Sequence, residues 1–203
     1  MGGCCGDGCS LDAGARRQRR TLVAVLVINA AMFAAVLAAA LYAGSTALLA
    51  DSLDNLGDAL TYALSLWAVA RGTTAKARVA LVKGGLILAG ALVVLGQVGY
   101  RLAVPTTPMF EVMGAFSLLA LAANGLCLYL LSRHRHEDVN MASVWECSRN
   151  DIVANLSVFA AAGGVWLTGR GWPDLVVGLA LGAFLLRSAL RVIGQARREL
   201  ATA

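Results

Sequence analysis

The chain is written as long apolar runs separated by short polar breaks, and that pattern predicts its elements. Six runs, over residues 21–43, 47–69, 79–104, 109–131, 141–168 and 173–193, are each near or above the ~20 residues a helix needs to cross a bilayer. The breaks carry turn residues: Gly44-Ser45, Arg71-Gly72-Thr73-Thr74, Pro105-Thr106-Thr107-Pro108, Arg133-His134-Arg135-His136-Glu137-Asp138 and Gly169-Arg170-Gly171-Trp172. Pro173 and Asp174 suit the first turn of the last helix, where a missing N–H costs nothing and a carboxylate meets the positive helix end. The expected fold is an all-α integral membrane protein with six transmembrane helices.

Composition strengthens this. The chain is 59% hydrophobic and 14% charged with a mean hydropathy of +0.71, against roughly 25% charged residues in soluble domains. Once the spans are counted, little is left for a soluble catalytic domain, so an enzyme is not expected. A pI of about 9.2 reflects cytoplasmic loops rather than nucleic-acid binding. The expected organisation is a flexible cytoplasmic tail rich in Cys, Gly and Arg (1–20), a six-helix transmembrane domain (21–193) and a short cytoplasmic C-terminal tail (194–203). A signal peptide is disfavoured, because the first apolar run exceeds the usual ~7–15-residue core of such a segment.

Lysine and arginine set the orientation. Arg16, Arg17, Arg19 and Arg20 of the tail, Arg71, Lys76, Arg78 and Lys83 after the second run, Arg133 and Arg135 after the fourth, and Arg187, Arg191, Arg197 and Arg198 at the end fall on one side. The opposite side has Arg101 and Arg170. The positive-inside rule then places both termini in the cytoplasm of a multi-pass protein of the cell (inner) membrane.

Against this apolar background the second run is anomalous. Asp51, Asp54 and Asp58 lie within it, and ionisable groups at membrane depth cost at least a few kcal/mol each, which marks a pathway for ions or protons. Asp54 and Asp58, one turn apart and within about 40° around the helix, can grip one ion. The fifth run repeats the feature with Cys147, Asp151 and Asn155 on one stripe. Two helices that each offer a pair of ligands can close a four-coordinate site. Asp54, Asp58, Cys147 and Asp151 suit a tetrahedral divalent transition metal such as Zn²⁺, with the thiolate tilting preference toward Cd²⁺. No resident cofactor is expected, the metal being cargo.

These features resemble the cation diffusion facilitator family of metal/proton antiporters. The resemblance rests on six spans, the Asp54-x-x-x-Asp58 and Cys147-x-x-x-Asp151 pairs, the Ser45-x-x-Leu48-Leu49-Ala50-Asp51 lead-in and the Asp151-x-x-x-Asn155 continuation. It implies export of Zn²⁺ or related ions, Cd²⁺ and Co²⁺ included, by a homodimer with alternating access. Cys147 departs from the family's usual histidine or aspartate. The cytoplasmic metal-binding domain that the family leads one to expect does not follow the sixth span before Ala203, so any dimer is expected to be held by the spans.

Charge gives the expected mechanism. Three carboxylates and a thiolate cannot all stay ionised in an empty low-dielectric cavity, so metal and protons compete for the same groups. Metal loading expels protons, and protonation from the outer side expels metal.

Other residues have plainer readings. Asp51 either orients the ligands or serves the helix dipole at the start of its span. Asn155 lies beside the ligands or makes an interhelical hydrogen bond, and Asn29 and Asn124 read as interhelical hydrogen-bonding residues. Cys127 reads as packing, and Arg149 faces away from Cys147. Cys4, Cys5 and Cys9 offer thiols for capturing a soft metal on the loading side. His134 and His136 read as solvated loop residues. The rival function is a proton-coupled exporter of small organic cations or drugs, which would use membrane carboxylates but would line its cavity with aromatic residues. A thiol-dependent mercury uptake carrier would not need the aspartates, and a receptor or scaffold leaves them unexplained.

Overall fold

The computed structural model describes residues 6–68, 73–132 and 139–201, with the side chains of 6–16, 18, 65, 68, 73–76 and 139–148 outside that description. Six helices account for nearly all of it: α1 (Gly6–Ala43), α2 (Thr46–Ala68), α3 (Thr73–Ala103), α4 (Phe110–Ser132), α5 (Val139–Thr168) and α6 (Trp172–Ala201). They follow the six apolar runs. The differences are extensions: α1 is helical from Gly6, inside the segment expected to be a flexible tail, α3 starts at Thr73, and α6 continues to Ala201 through the expected C-terminal tail. Ala, Arg, Gln and Leu dominate these stretches and no proline interrupts them, so the helices propagate past the apolar limit.

Every helix except α2 is long and apolar enough to cross a membrane. The exception has 23 residues and is disqualified by composition alone, since it carries Asp51, Asp54 and Asp58. Its position explains how those residues are accommodated. α2 packs against α1, α3, α5 and α6, and Ala47, Leu48, Ala50, Asp51, Ser52, Asn55, Asp58, Ala59 and Tyr62 are all buried. Its carboxylates therefore face protein rather than lipid.

The α1–α2, α3–α4 and α5–α6 connections meet at one end of the bundle, which we call the rim. Gly44, at φ +66°, is the left-handed residue that ends α1, and Ser45 N–H closes the motif on Ala40 O at 3.0 Å. The same Ser45 starts α2, its Oγ accepting Leu48 N–H at 3.1 Å. Met109 N–H bonds Ala43 O at 3.1 Å, levelling the start of α4 with the end of α1. Thr107 Oγ1 reaches Gly169 O, tying the α5–α6 turn to the same rim.

Below the rim, α1, α2, α4 and α5 close a ring through the pairs α1–α2, α2–α5, α5–α4 and α4–α1, while α3 and α6 pair with each other beside α2. The rim-side half of the ring is apolar: Met32, Val36, Ala40, Leu48, Met113, Val158 and Val165 pack into one cluster. A second cluster, Leu22, Val25, Tyr62, Cys127 and Leu131, lies toward the other end. Buried Asn29, Asn55, Asp58, Asn124 and Asn155 lie between them, and Ser45, Thr46 and Asp174 are buried at the rim itself.

Candidate metal-transport site

Asp58 and Asp151 meet across the α2–α5 contact, each only 8% exposed, with a side-chain hydrogen bond between them. Tyr62, one turn along α2, donates its hydroxyl to Asp58 Oδ2 at 3.2 Å. Lys83 of α3 brings a positive charge to the same side of α2, where it donates to Thr61 Oγ1. Asp58 thus stands where α2 meets α5, with its own helix supplying Tyr62. Two carboxyl groups this close in a low-dielectric site cannot both stay ionised without a counter-charge, so a cation that takes both competes with protons.

The other expected ligands are placed less closely. Asp54 is half-buried and interacts with the charges of Asp58 and Asp51. The backbone of Cys147 is in α5, on the turn preceding Asp151, but its side chain lies outside the described residues. Among the described residues, no three of His, Cys, Asp or Glu cluster tightly enough to hold a metal ion. What the structure brings together is the Asp58–Asp151 pair, one carboxylate from each expected motif.

Asp51 is 2% exposed and sits in the second turn of α2, past the reach of the helix dipole, with Oδ2 unpartnered. Asn155 is fully buried, and both its side-chain atoms lack a partner. Asn29 Nδ2 bonds Val25 O of its own helix at 2.9 Å and lies 3.7 Å from Cys127 Sγ, so its interhelical bond is to the thiol. Cys127 is buried, as packing requires, and Arg149 is exposed. Cys4, Cys5, His134 and His136 lie outside the described residues, as does the side chain of Cys9.

Two residues have roles the sequence reading missed. Lys83, counted there as loop charge, stands inside α3 and donates to Thr61 Oγ1 on α2. Asp174 was read as serving its own helix, but its oxygens serve α2: Oδ1 accepts from Ser45 Oγ at 2.6 Å and Ala47 N–H at 3.0 Å, and Oδ2 accepts from Thr46 N–H at 2.8 Å. The adjacent signal in sequence was a buried-type Asp beside Pro173 facing a helix start, with nothing to say which helix.

The arrangement is that of a membrane-embedded pair of acidic groups on separate helices, shielded from lipid and closed toward the rim by apolar packing. Such a pair can bind a cation and exchange it for a proton without exposing charge to hydrocarbon. No curated protein sequence matches the chain. The family model described as the cation efflux transmembrane domain matches residues 22–201, from within α1 to the end of α6. The chain therefore belongs to the cation efflux, or cation diffusion facilitator, family of multi-pass membrane proteins that export metal cations.

Proposed function

We propose that the protein exports divalent transition-metal ions of the Zn²⁺ and Cd²⁺ class, Co²⁺ included, from the cytoplasm across the cell's inner membrane in exchange for protons. Asp58 and Asp151 form the centre of the cargo site, with Asp54 and Cys147 completing a tetrahedral set. The observation that carries this reading is the Asp58–Asp151 hydrogen bond joining α2 to α5.

The steps follow from ligand chemistry. A metal ion arriving from the end opposite the rim replaces the proton shared by Asp58 and Asp151, and the ligands that close around it are deprotonated in the process. Tyr62 holds one oxygen of Asp58, so the carboxylate keeps a single orientation as cargo arrives. Release toward the rim requires α1, α2, α4 and α5 to part where Met32, Val36, Leu48, Met113 and Val165 now pack. Reprotonation then re-forms the carboxyl pair and resets the site. With both termini cytoplasmic the rim faces outward, consistent with the exposed Arg19, Arg20, Arg187 and Arg197 at the other end. A homodimer held by the spans belongs to the same proposal.

The test is metal binding by isothermal titration of the detergent-purified chain with Zn²⁺ and Cd²⁺. A site per chain that disappears in both Asp58→Ala and Asp151→Ala is expected. Unchanged binding in either variant sinks the assignment.

A further inference from the structure

Three carboxamides lie level with Asp58. Asn29 precedes Gly44 by 15 residues and Asp58 follows it by 14, Asn124 follows Met109 by 15, and Asn155 precedes Gly169 by 14. The rim bonds hold Ala43 against Met109 and the α3–α4 loop against Gly169. At 1.5 Å per residue, all four residues therefore sit about 21 Å below the rim. They come from α1, α2, α4 and α5, one from each helix of the ring. Asn55 follows one turn closer to the rim.

These side chains are buried: Asn29 1%, Asn55 4%, Asn124 3% and Asn155 0% exposed. Each leaves its carbonyl oxygen unused, and Asn155 its amide nitrogen as well. Asn29 and Asn55 spend Nδ2 on the carbonyls of Val25 and Asp51 in their own helices, leaving Oδ1 without a partner, as it is in Asn124 and Asn155. Asp51 Oδ2, one turn beyond Asn55, is also unpartnered. An orphaned buried oxygen is costly in protein and more so at membrane depth. Helix association accounts for the Nδ2 of Asn29, which reaches Cys127 Sγ of α4, but not for these five oxygens, four amide and one carboxylate, which reach no neighbouring helix.

We propose that Asn29, Asn55, Asn124 and Asn155 line a hydrated transit layer around Asp58 and Asp151, whose carbonyl oxygens replace part of the water shell of a divalent cation moving between that pair and the rim. The inference rests on the cargo-site reading and adds to it a specificity element of neutral oxygens. Amide oxygens are donors for hard and borderline cations, and they carry no charge that would trap the ion. Asp51 ends the line of oxygens on the rim side, about 10 Å below the rim and among the levels of the apolar cluster.

The experiment measures Zn²⁺ flux and thermal stability together for the full chain in liposomes and in detergent, comparing the parent with Asn124→Leu, Asn155→Leu, Asn124→Ser, Asn155→Ser and Asp58→Asn. Leucine matches asparagine in shape but removes the orphaned oxygen, so the leucine variants are expected to melt at or above the parent temperature. Their maximal flux is expected to fall about tenfold, equivalent to one lost transition-state interaction of about 1.4 kcal/mol, and the serine variants to recover part of it. Flux at the parental level in the leucine variants, with Asp58→Asn inactive, overturns the transit layer and leaves the cargo site standing. Lower melting temperature and lower flux in the leucine variants, unrescued by serine, also overturns it, in favour of helix association. Full flux in Asp58→Asn removes the cargo site and the layer with it.

Discussion

Ser45 Oγ donates a 2.6 Å hydrogen bond to Asp174 Oδ1 across 129 residues of sequence, fastening the start of α6 to the start of the helix that carries the carboxylates. Asp174 also accepts the N–H groups of Thr46 and Ala47, two of the donors a helix start leaves unpaired. A carboxylate from one helix thus caps another, and the register of Asp51, Asp54 and Asp58 depends on it.

Asp174→Ala is therefore expected to destabilise the protein by about 2–3 kcal/mol, combining loss of a cap with buried donors left unpaired. Ser45→Ala is expected to cost about 1–2 kcal/mol, since it removes the bond to Leu48 N–H as well. Because the two share one bond, the double variant should lose less than the sum of the singles. Thermal unfolding in detergent measures all three.

Packing at the same junction gives a second prediction. A Cβ on Gly178 would meet Thr46 Cγ2 at 2.9 Å and its carbonyl carbon at 3.1 Å, whereas one on Gly96 would meet nothing within 4 Å. Gly178→Ala is expected to cost about 1–3 kcal/mol by forcing α6 from α2. Gly96→Ala, in the exposed face of α3, is expected to be neutral or to stabilise by up to about 1 kcal/mol. Chemical or thermal unfolding of the pair separates contact from helix propensity.

Metal binding should weaken on acidification. On the proposed exchange, protons and cargo compete for Asp58 and Asp151, so the apparent affinity for Zn²⁺ is expected to rise with pH and each binding event to release protons. Titrations in buffers of different ionisation enthalpy count them. Binding that releases no proton at any pH would remove the basis for exchange.

Much of the fold was written in the sequence, because spanning length and turn residues are local signals. The six runs, Gly44-Ser45 and Gly169 all mark helix limits in the structure. The helix ends away from the rim were less legible: hydropathy stops at Val79 and Ile193, but Ala, Arg and Gln carry α3 and α6 further, which is how Lys83 came to be read as loop charge. Of the site, the 40° offset of Asp54 and Asp58 was a property of one helix and could be read directly. Which of the two meets α5 depends on how the helices pack, and the answer is Asp58. Asp174 was hidden for the same reason, since no local pattern reveals a cap supplied from another helix. The asparagines were visible as polar residues in apolar spans, but that their carbonyl oxygens stand unpartnered follows only from how the helices pack around them.

The most direct test of the central claim is proton-coupled metal flux by the purified protein in liposomes carrying a pH gradient, following Zn²⁺, Cd²⁺ and Co²⁺ for the parent, Asp58→Ala and Cys147→His. The account predicts flux driven by the gradient, abolished by Asp58→Ala, and shifted from Cd²⁺ toward Zn²⁺ by Cys147→His. Metal flux indifferent to Asp58, or gradient-driven movement of an organic cation with no flux of any divalent metal, would contradict it.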